Sequence, residues 1–489
     1  IMIKQSTYKL NMLEIEQVIA QIYIYLLPFR MISQFAFIKN LVGVCALYID
    51  FVFHMIGLML WICNSKGNLK AESGENQYLI NDFLKLIIWL NTSSIIMAFF
   101  IQSKYGNIGN DNAFGAVIGM IIYFFQYALM LLYNMRVLTI LEKEKIHLIF
   151  HRLCTVLLII GYTQVLVMNG IGGGIYDRLN FMGILNNSSH LPKLCLTGSE
   201  GAAAGNIISI LVMPVLLSDI LIGQNIKSNV IKIILWLIPL YFTNSSTAYI
   251  LFAIEMMVFL ALMAFEKKQI VLLLKVLTVT LILVLVLGII LKSLGLLTSE
   301  IFEEVNYLLF EKATDTENGS TISRTVPLLV NWGAFKEYPI LGVGNGLQGY
   351  FYEKYFPTSA FHVAGSDVTE FLKTSKNGIS NGGVFFPSLL SGYGIIGCIL
   401  IVKFIIKTIY VANFKKHKIN NFFYMWILAG IAFIITGFQG DMYGRYYAWF
   451  MISLPFISAS KKEKIQDDYI TNINFDTYNE QTGNIKENA

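Results

Sequence analysis

Apolar residues fill most of this chain in blocks of about 20, separated by short polar and basic interruptions. Read as helices, such blocks match the ~30 Å hydrocarbon core of a bilayer. The pattern predicts about twelve spans, at residues 15–36, 41–62, 82–101, 113–133, 148–168, 201–222, 230–243, 246–265, 269–292, 385–402, 420–436 and 446–460. Pro28 and Arg30 interrupt the first of them. The runs are continuous and lack the alternation of a membrane β-barrel, so the expected class is an all-α polytopic membrane protein.

Two polar intervals stand apart. Residues 293–384 exceed the length at which structureless loops are common, so this loop is expected to carry structure of its own. From Thr325 onward Leu328, Leu329, Trp332 and Phe335 recur at helical spacing. That predicts an amphipathic helix, either lying on the membrane surface or packed on the spans. Pro327 fits its first turn, and Pro339 stops it. Residues 461–489 are polar and read as a disordered cytoplasmic tail. The division expected is therefore 1–292 as an N-terminal bundle of about nine spans, 293–384 as the large loop, 385–460 as the C-terminal spans and 461–489 as the tail.

Composition agrees with the pattern. Of 489 residues, 55% are hydrophobic and 14% charged, with a mean hydropathy of +0.61, which excludes a set of soluble domains. The net charge of +5 does not indicate a nucleic-acid partner, because the lysines sit beside the apolar blocks, where topology signals belong. Every second connection is basic, through Lys66 and Lys70; Arg136, Lys143 and Lys145; Lys227 and Lys232; Lys267 and Lys268; Lys403, Lys407, Lys415, Lys416 and Lys418; and Lys461, Lys462 and Lys464. This alternation predicts both termini in the cytoplasm. It puts 170–197, the turn at 243–246, the loop 293–384 and the turn 437–445 outside. Residues 1–11 carry no pattern of a cleavable leader. Cys45, Cys63, Cys154 and Cys398 lie in or beside spans and Cys195 in a loop, so no disulfide framework or metal cluster is expected.

Arginine is scarce, and its placement changes the picture. Only Arg30, Arg136, Arg152, Arg178, Arg324 and Arg445 occur, and the last three fall on the predicted external side. A guanidinium fork binds phosphate oxygens bidentately, as lysine cannot. Three such groups at span–loop junctions suggest a converging site for an anionic headgroup; ordinary loop charges or interfacial snorkels are the alternative.

The setting of Arg324 carries a family resemblance. Arg324, Trp332, Ala334, Phe335, Pro339, Gly342, Gly344 and Gly346 follow the order of the loop motif of the O-antigen polymerase/ligase superfamily. The turn Thr243-Asn244-Ser245-Ser246-Thr247 resembles that family's short Ser-rich turn, without the arginine often found there. Gly394-Ile395-Ile396-Gly397 resembles its G-I-I-G in the span after the loop. The resemblance covers roughly residues 240–450. It departs at Gly383 and Val384, where the ligase branch has a His–Asn pair, so the chain looks more like a repeat-unit polymerase of the Wzy type.

The resemblance implies a GT-C-like glycosyltransferase of the bacterial cytoplasmic membrane that needs no cofactor or metal. Its substrate would be an undecaprenyl-diphosphate-linked oligosaccharide, polymerised into O-antigen or capsule. A chain-length regulator is a partner the family allows. Arg324, Arg445 and His362 are the expected catalytic residues, and Arg178, Ser245, Ser246, Trp332 and Lys336 the expected substrate contacts. Asp367, Glu370 and Glu200 are further candidates for the base; His362 ranks first because histidine titrates near neutrality. A ligase is the rival in chemistry, and a lipid-linked sugar flippase the rival in class. The scarcity of charge within the spans favours an enzyme over a flippase.

Other features read as structural. Gly342-x-Gly344-x-Gly346 follows no strand and is no dinucleotide fingerprint. Gly172-Gly173-Gly174 suits a flexible loop, and Gly201-Ala202-Ala203-Ala204-Gly205 suits close helix packing. Trp332, Tyr338, Tyr350, Phe351, Tyr352, Tyr355 and Phe356 suit interfacial anchoring slightly better than sugar stacking. Asp50 and His54, one turn apart in a span, either pair or line a cavity, and Asp441 is spaced to pair locally with Arg445.

Overall fold

The computed structural model describes residues 12–29, 49–65, 77–107, 112–174, 176, 193–198, 200–267, 319–355, 383–414, 420–440, 442 and 445–457. All regular elements among the described residues are helical. The longer ones, in chain order, are α1 (Met12–Leu26), α2 (Asp50–Asn64), α3 (Gln77–Tyr105), α4 (Ala113–Ile140), α5 (Lys143–Met168) and α6 (Gly201–Ile222). There follow α7 (Ile226–Phe242), α8 (Ser246–Lys267), α9 (Gly319–Glu337), α10 (Phe385–Phe414), α11 (Asn420–Gln439) and α12 (Tyr446–Ile452).

Seven of these, α3 to α6, α8, α10 and α11, are long and apolar enough to cross a membrane. The α2 helix is apolar but only 15 residues long. The expected span 269–292 and the tail 461–489 lie outside the described residues, and the last expected span, 446–460, is not one helix. There α12 stops at Ile452, Ser453 turns, and a 3-10 turn runs Leu454–Phe456, because Pro455 has no N–H with which to continue the α-helical ladder.

The α6 helix is the axis of the bundle. Its spanning window is 94% buried, against 28% to 50% for the other six. It packs against α5, α7, α8, α11 and α12. Gly201 and Gly205 let it approach α8 and the turn before it: a Cβ on Gly205 would stand 2.4 Å from Ala248 Cβ. The small-residue stretch is thus a packing device, as the sequence suggests. Around this axis the other spans turn Phe99, Phe125, Ile159, Met257 and Ile399 outward, as helices facing hydrocarbon do.

Charge inside the bundle is larger than the sequence pattern implies. Arg136, counted above with the loop cations, is buried within α4. It grips Glu16 of α1 through Nε–Oε1 at 2.7 Å and Nη2–Oε2 at 2.9 Å. Asn64 of α2 donates to Glu16 Oε2 at 2.6 Å, so one carboxylate ties three helices. Asp50 and His54 do not pair. Their polar side-chain atoms are buried without hydrogen-bond partners among the described residues, and His54 lies against the Tyr133 ring at 5.6 Å.

Candidate functional site

The helix expected from Thr325 begins earlier, at Gly319, so Pro327 lies in its interior and not in its first turn. Its inward face differs from the one read in the sequence. Val326, Val330 and Ala334 are buried, whereas Leu328, Leu329 and Trp332 are exposed. The helix therefore packs on the bundle and also presents an apolar outer face, with Trp332 stacked on Phe335 and Lys336 over the Trp332 ring. The helix ends at Glu337, before Pro339, as expected.

Beyond it, the Pro-Gly turn is threaded into a break in α10. Gly394 has φ +62° and interrupts the helix. The break frees backbone groups that the turn then satisfies. Val343 N donates to Ser391 O at 2.8 Å and Gly344 N to Gly392 O at 2.9 Å; in return Ile395 N donates to Pro339 O at 2.8 Å. A side chain on Gly394 would meet Ile340 O at 2.4 Å, and one on Gly342 the Gly392 backbone at 2.4 Å. Non-helical backbone at a span is tolerated where protein buries it and pairs its polar groups, and this junction does both. Gln348 reinforces it by donating to Ser388 O at 3.0 Å, and Asn345 N donates to Ser94 Oγ of α3 at 3.1 Å. The Asn345 amide is buried, with neither atom hydrogen-bonded among the described residues.

Arg324 lies five residues into α9 and reaches the α7–α8 turn, where its Nη1 donates to Thr247 Oγ1 at 2.9 Å. Burial lowers the guanidinium pKa, and the nearby Glu200 carboxylate opposes that shift. Arginine's intrinsic value is so high that the group stays cationic. Thr247 is buried, and Ser246 Oγ beside it is buried without a partner among the described residues. Asn244 holds the turn at φ +44°.

Arg445 is approached from the other side of the start of α10. Phe385 N donates to Gly440 O at 3.1 Å, while the Cβ position of Gly383 is 3.2 Å from Pro327, one turn after Arg324. Helix α9 and the turn before α12 thus border the same end of α10. Arg445 Nη1 is buried without a hydrogen-bond partner among the described residues.

The structure therefore brings Arg324, Thr247, Ser246 and Glu200 together, while Arg445 lies beside Gly440 at the start of α10. Ser245 is buried in the same turn. Trp332 and Lys336 lie on the outward face of α9, two to three turns from Arg324. Arg178, His362, Asp367, Glu370, Phe356 and Asp441 lie outside the described residues. Sequence reading singled out two serines of the turn, but the hydroxyl that holds Arg324 belongs to Thr247.

It also passed over Glu255, buried about 12 Å further along α8, whose carboxylate faces Ser209 without reaching hydrogen-bond geometry. Ser209 sits in the π-helical turn Ile208–Val212 of α6. A lone acid inside an apolar span is the signal that points to it. Among the described residues one constellation could hold a metal: His147 and His151 of α5 with Asp219 of α6.

Residues 231–402 match a family model described as O-antigen ligase. The match supports the resemblance to the O-antigen polymerase/ligase superfamily. It spans most of α7, all of α8, the Arg324 helix, the Pro-Gly turn and the break in α10, and so includes all three motifs quoted for the resemblance. The family is one of membrane glycosyl-transfer enzymes acting on lipid-linked oligosaccharides. No curated protein and no solved structure matches the chain.

Proposed function

We propose that this protein polymerises undecaprenyl-diphosphate-linked oligosaccharide repeat units on the external face of a bacterial cytoplasmic membrane. The observation that supports this reading best is the fixed, half-buried Arg324 cation at the junction of the superfamily motifs. In the reaction, a sugar hydroxyl of the acceptor attacks the anomeric carbon of the donor. A glycosidic C–O bond forms, the anomeric carbon–oxygen bond to phosphate breaks, and its electron pair leaves on the lipid diphosphate. Arg324 and Arg445 stabilise that departing charge; a rigid donor in a desolvated setting does this without reorganising. The hydroxyl proton goes to a general base, for which His362 is the first choice and Glu200, next to Arg324, the second.

The absence of a His–Asn pair at Gly383 and Val384 favours polymerisation over ligation. The family description favours a second reading, transfer of finished glycan to another acceptor. Purified protein incubated with lipid-linked repeat units separates them. A ladder of lengthening products supports the polymerase; a single transfer to a different lipid acceptor, with no ladder, overturns it in favour of the ligase.

A further inference from the structure

At the end of α6 away from Arg324 lies a second polar constellation that the glycan reaction does not use. Asp219 sits near the C-terminus of α6, about 27 Å along the helix from Gly201. His147 and His151 are four residues apart in the first turns of α5, so both imidazoles project from one face. His147 Nε2 lies 2.8 Å from Asp219 Oδ1, and His151 Nε2 lies 2.8 Å from Asp219 Oδ2. The two Nε2 atoms are themselves 3.2 Å apart.

When both Nε2 atoms carry hydrogen, each imidazole donates to its own carboxylate oxygen and the 3.2 Å Nε2···Nε2 approach is a bare contact between two donors. The same three side chains each aim one ligand atom at a common centre, with those atoms within 4.8 Å of one another. A cation at the centre turns all three contacts into ligand bonds. In a tetrahedral site with bonds of about 2.0–2.1 Å, ligand atoms stand roughly 3.3 Å apart. The observed contacts of 2.8 to 3.2 Å are on the same scale, two of them reaching the two different oxygens of Asp219.

The surroundings fit the same reading. Asp219 is fully buried, a costly position for a carboxylate at a span end unless a cation compensates it. Asn229 of α7 donates to Asp219 Oδ2 at 3.2 Å, orienting it from outside the triangle. The two histidine side chains keep 18% and 15% of their surface exposed, which leaves a route for an ion and room for a water ligand.

We propose that His147, His151 and Asp219 form a site for a divalent transition ion, with zinc the best fit, that clamps α5 to α6. Two imidazoles and one carboxylate suit zinc better than magnesium or calcium, which take all-oxygen shells. The site is independent of the glycosyl-transfer reading.

The test uses the full chain in detergent, purified without a histidine tag, stripped with chelator and titrated with Co2+. The expected result is about one equivalent bound per chain, with visible absorption of a low-coordinate N/O site, displaced by Zn2+ and not by excess Mg2+. His147→Ala and His151→Ala should lose that absorption, and Asn229→Ala should bind about tenfold more weakly. Zn2+ should raise the thermal midpoint of the wild type and leave His151→Ala unchanged. If the alanine variants do not fold, His151→Gln keeps a polar side chain of similar reach and takes their place. Equal Co2+ binding by wild type and His151→Gln, or none in the wild type, overturns the proposal.

Discussion

Arg324 shows how much one side chain depends on its surroundings. Its nearness to the Trp/Phe helix was visible in the sequence, but its place inside that helix and its hold on Thr247 were not, because the latter joins residues far apart in the chain. A guanidinium fixed by a buried hydroxyl keeps its charge in one place, and lysine lacks the planar fork to do so. Arg324→Ala and Arg445→Ala are therefore expected to lower polymer formation by at least about 100-fold with insertion unchanged. Arg324→Lys should recover only part of it. Thr247→Ala should cost about 1 kcal/mol, several-fold in rate, because it removes one hydrogen bond and keeps the cation. Product ladders from membranes with matched protein levels check the series, and wild-type ladders from both alanine variants would sink the arginine roles. The base was the hardest residue to read, since histidine or carboxylate in a long loop has no motif to mark it.

At the scale of elements, the two glycine-bearing motifs prove to be halves of one joint. Each was legible in the sequence as a short pattern, and neither revealed that the Pro-Gly turn supplies the hydrogen bonds missing from the broken α10. Gly394→Ala combines a positive φ with a clash against Ile340 O, so strain alone should cost about 1–3 kcal/mol. Its readout is faster proteolysis near residue 340 and a lowered melting midpoint; unchanged values for both would refute the joint.

Next to it, Glu337 accepts hydrogen bonds from Lys354 Nζ at 2.6 Å and Tyr355 Oη at 2.7 Å. Burial pushes its pKa up, but these bonds outweigh burial and hold it below the usual glutamate value. A depressed folded-state pKa contributes stability that is present above the unfolded value and lost as pH falls through the folded one. Acidification below the ordinary glutamate range should thus loosen residues 337–355, seen as faster amide exchange after correction for intrinsic rates. Glu337→Gln should remove that pH dependence; if it does not, the linkage assigned to Glu337 is wrong.

For the whole molecule, the periodicity predicted a helical membrane bundle, and the helices observed fit that class. What periodicity could not supply was the order of burial. All spans look alike as apolar strings, yet α6 is enclosed and its neighbours face lipid. Buried polar contacts stayed hidden for the same reason. Arg136 looked like a topology signal because one sequence cannot show that Glu16 lies opposite it. Removing Glu16 should leave an uncompensated cation in the bundle, so Glu16→Ala is expected to cost about 3–5 kcal/mol in equilibrium unfolding. The double variant Glu16→Leu/Arg136→Met should cost less than the sum of its parts, because the pair couples. Additive losses would show that the pair is not coupled.

By itself the sequence determined the helical membrane class, the charge pattern and the motifs that relate residues 231–402 to the O-antigen ligase family model. These follow from local composition and order, which the chain states directly. Only the tertiary structure decided which span forms the axis, that the Pro-Gly turn completes a broken helix, that Thr247 holds Arg324, and that His147 and His151 meet Asp219. Each of those is a meeting of distant segments, set by how helices pack and by which buried polar groups must find partners, and no local pattern encodes it.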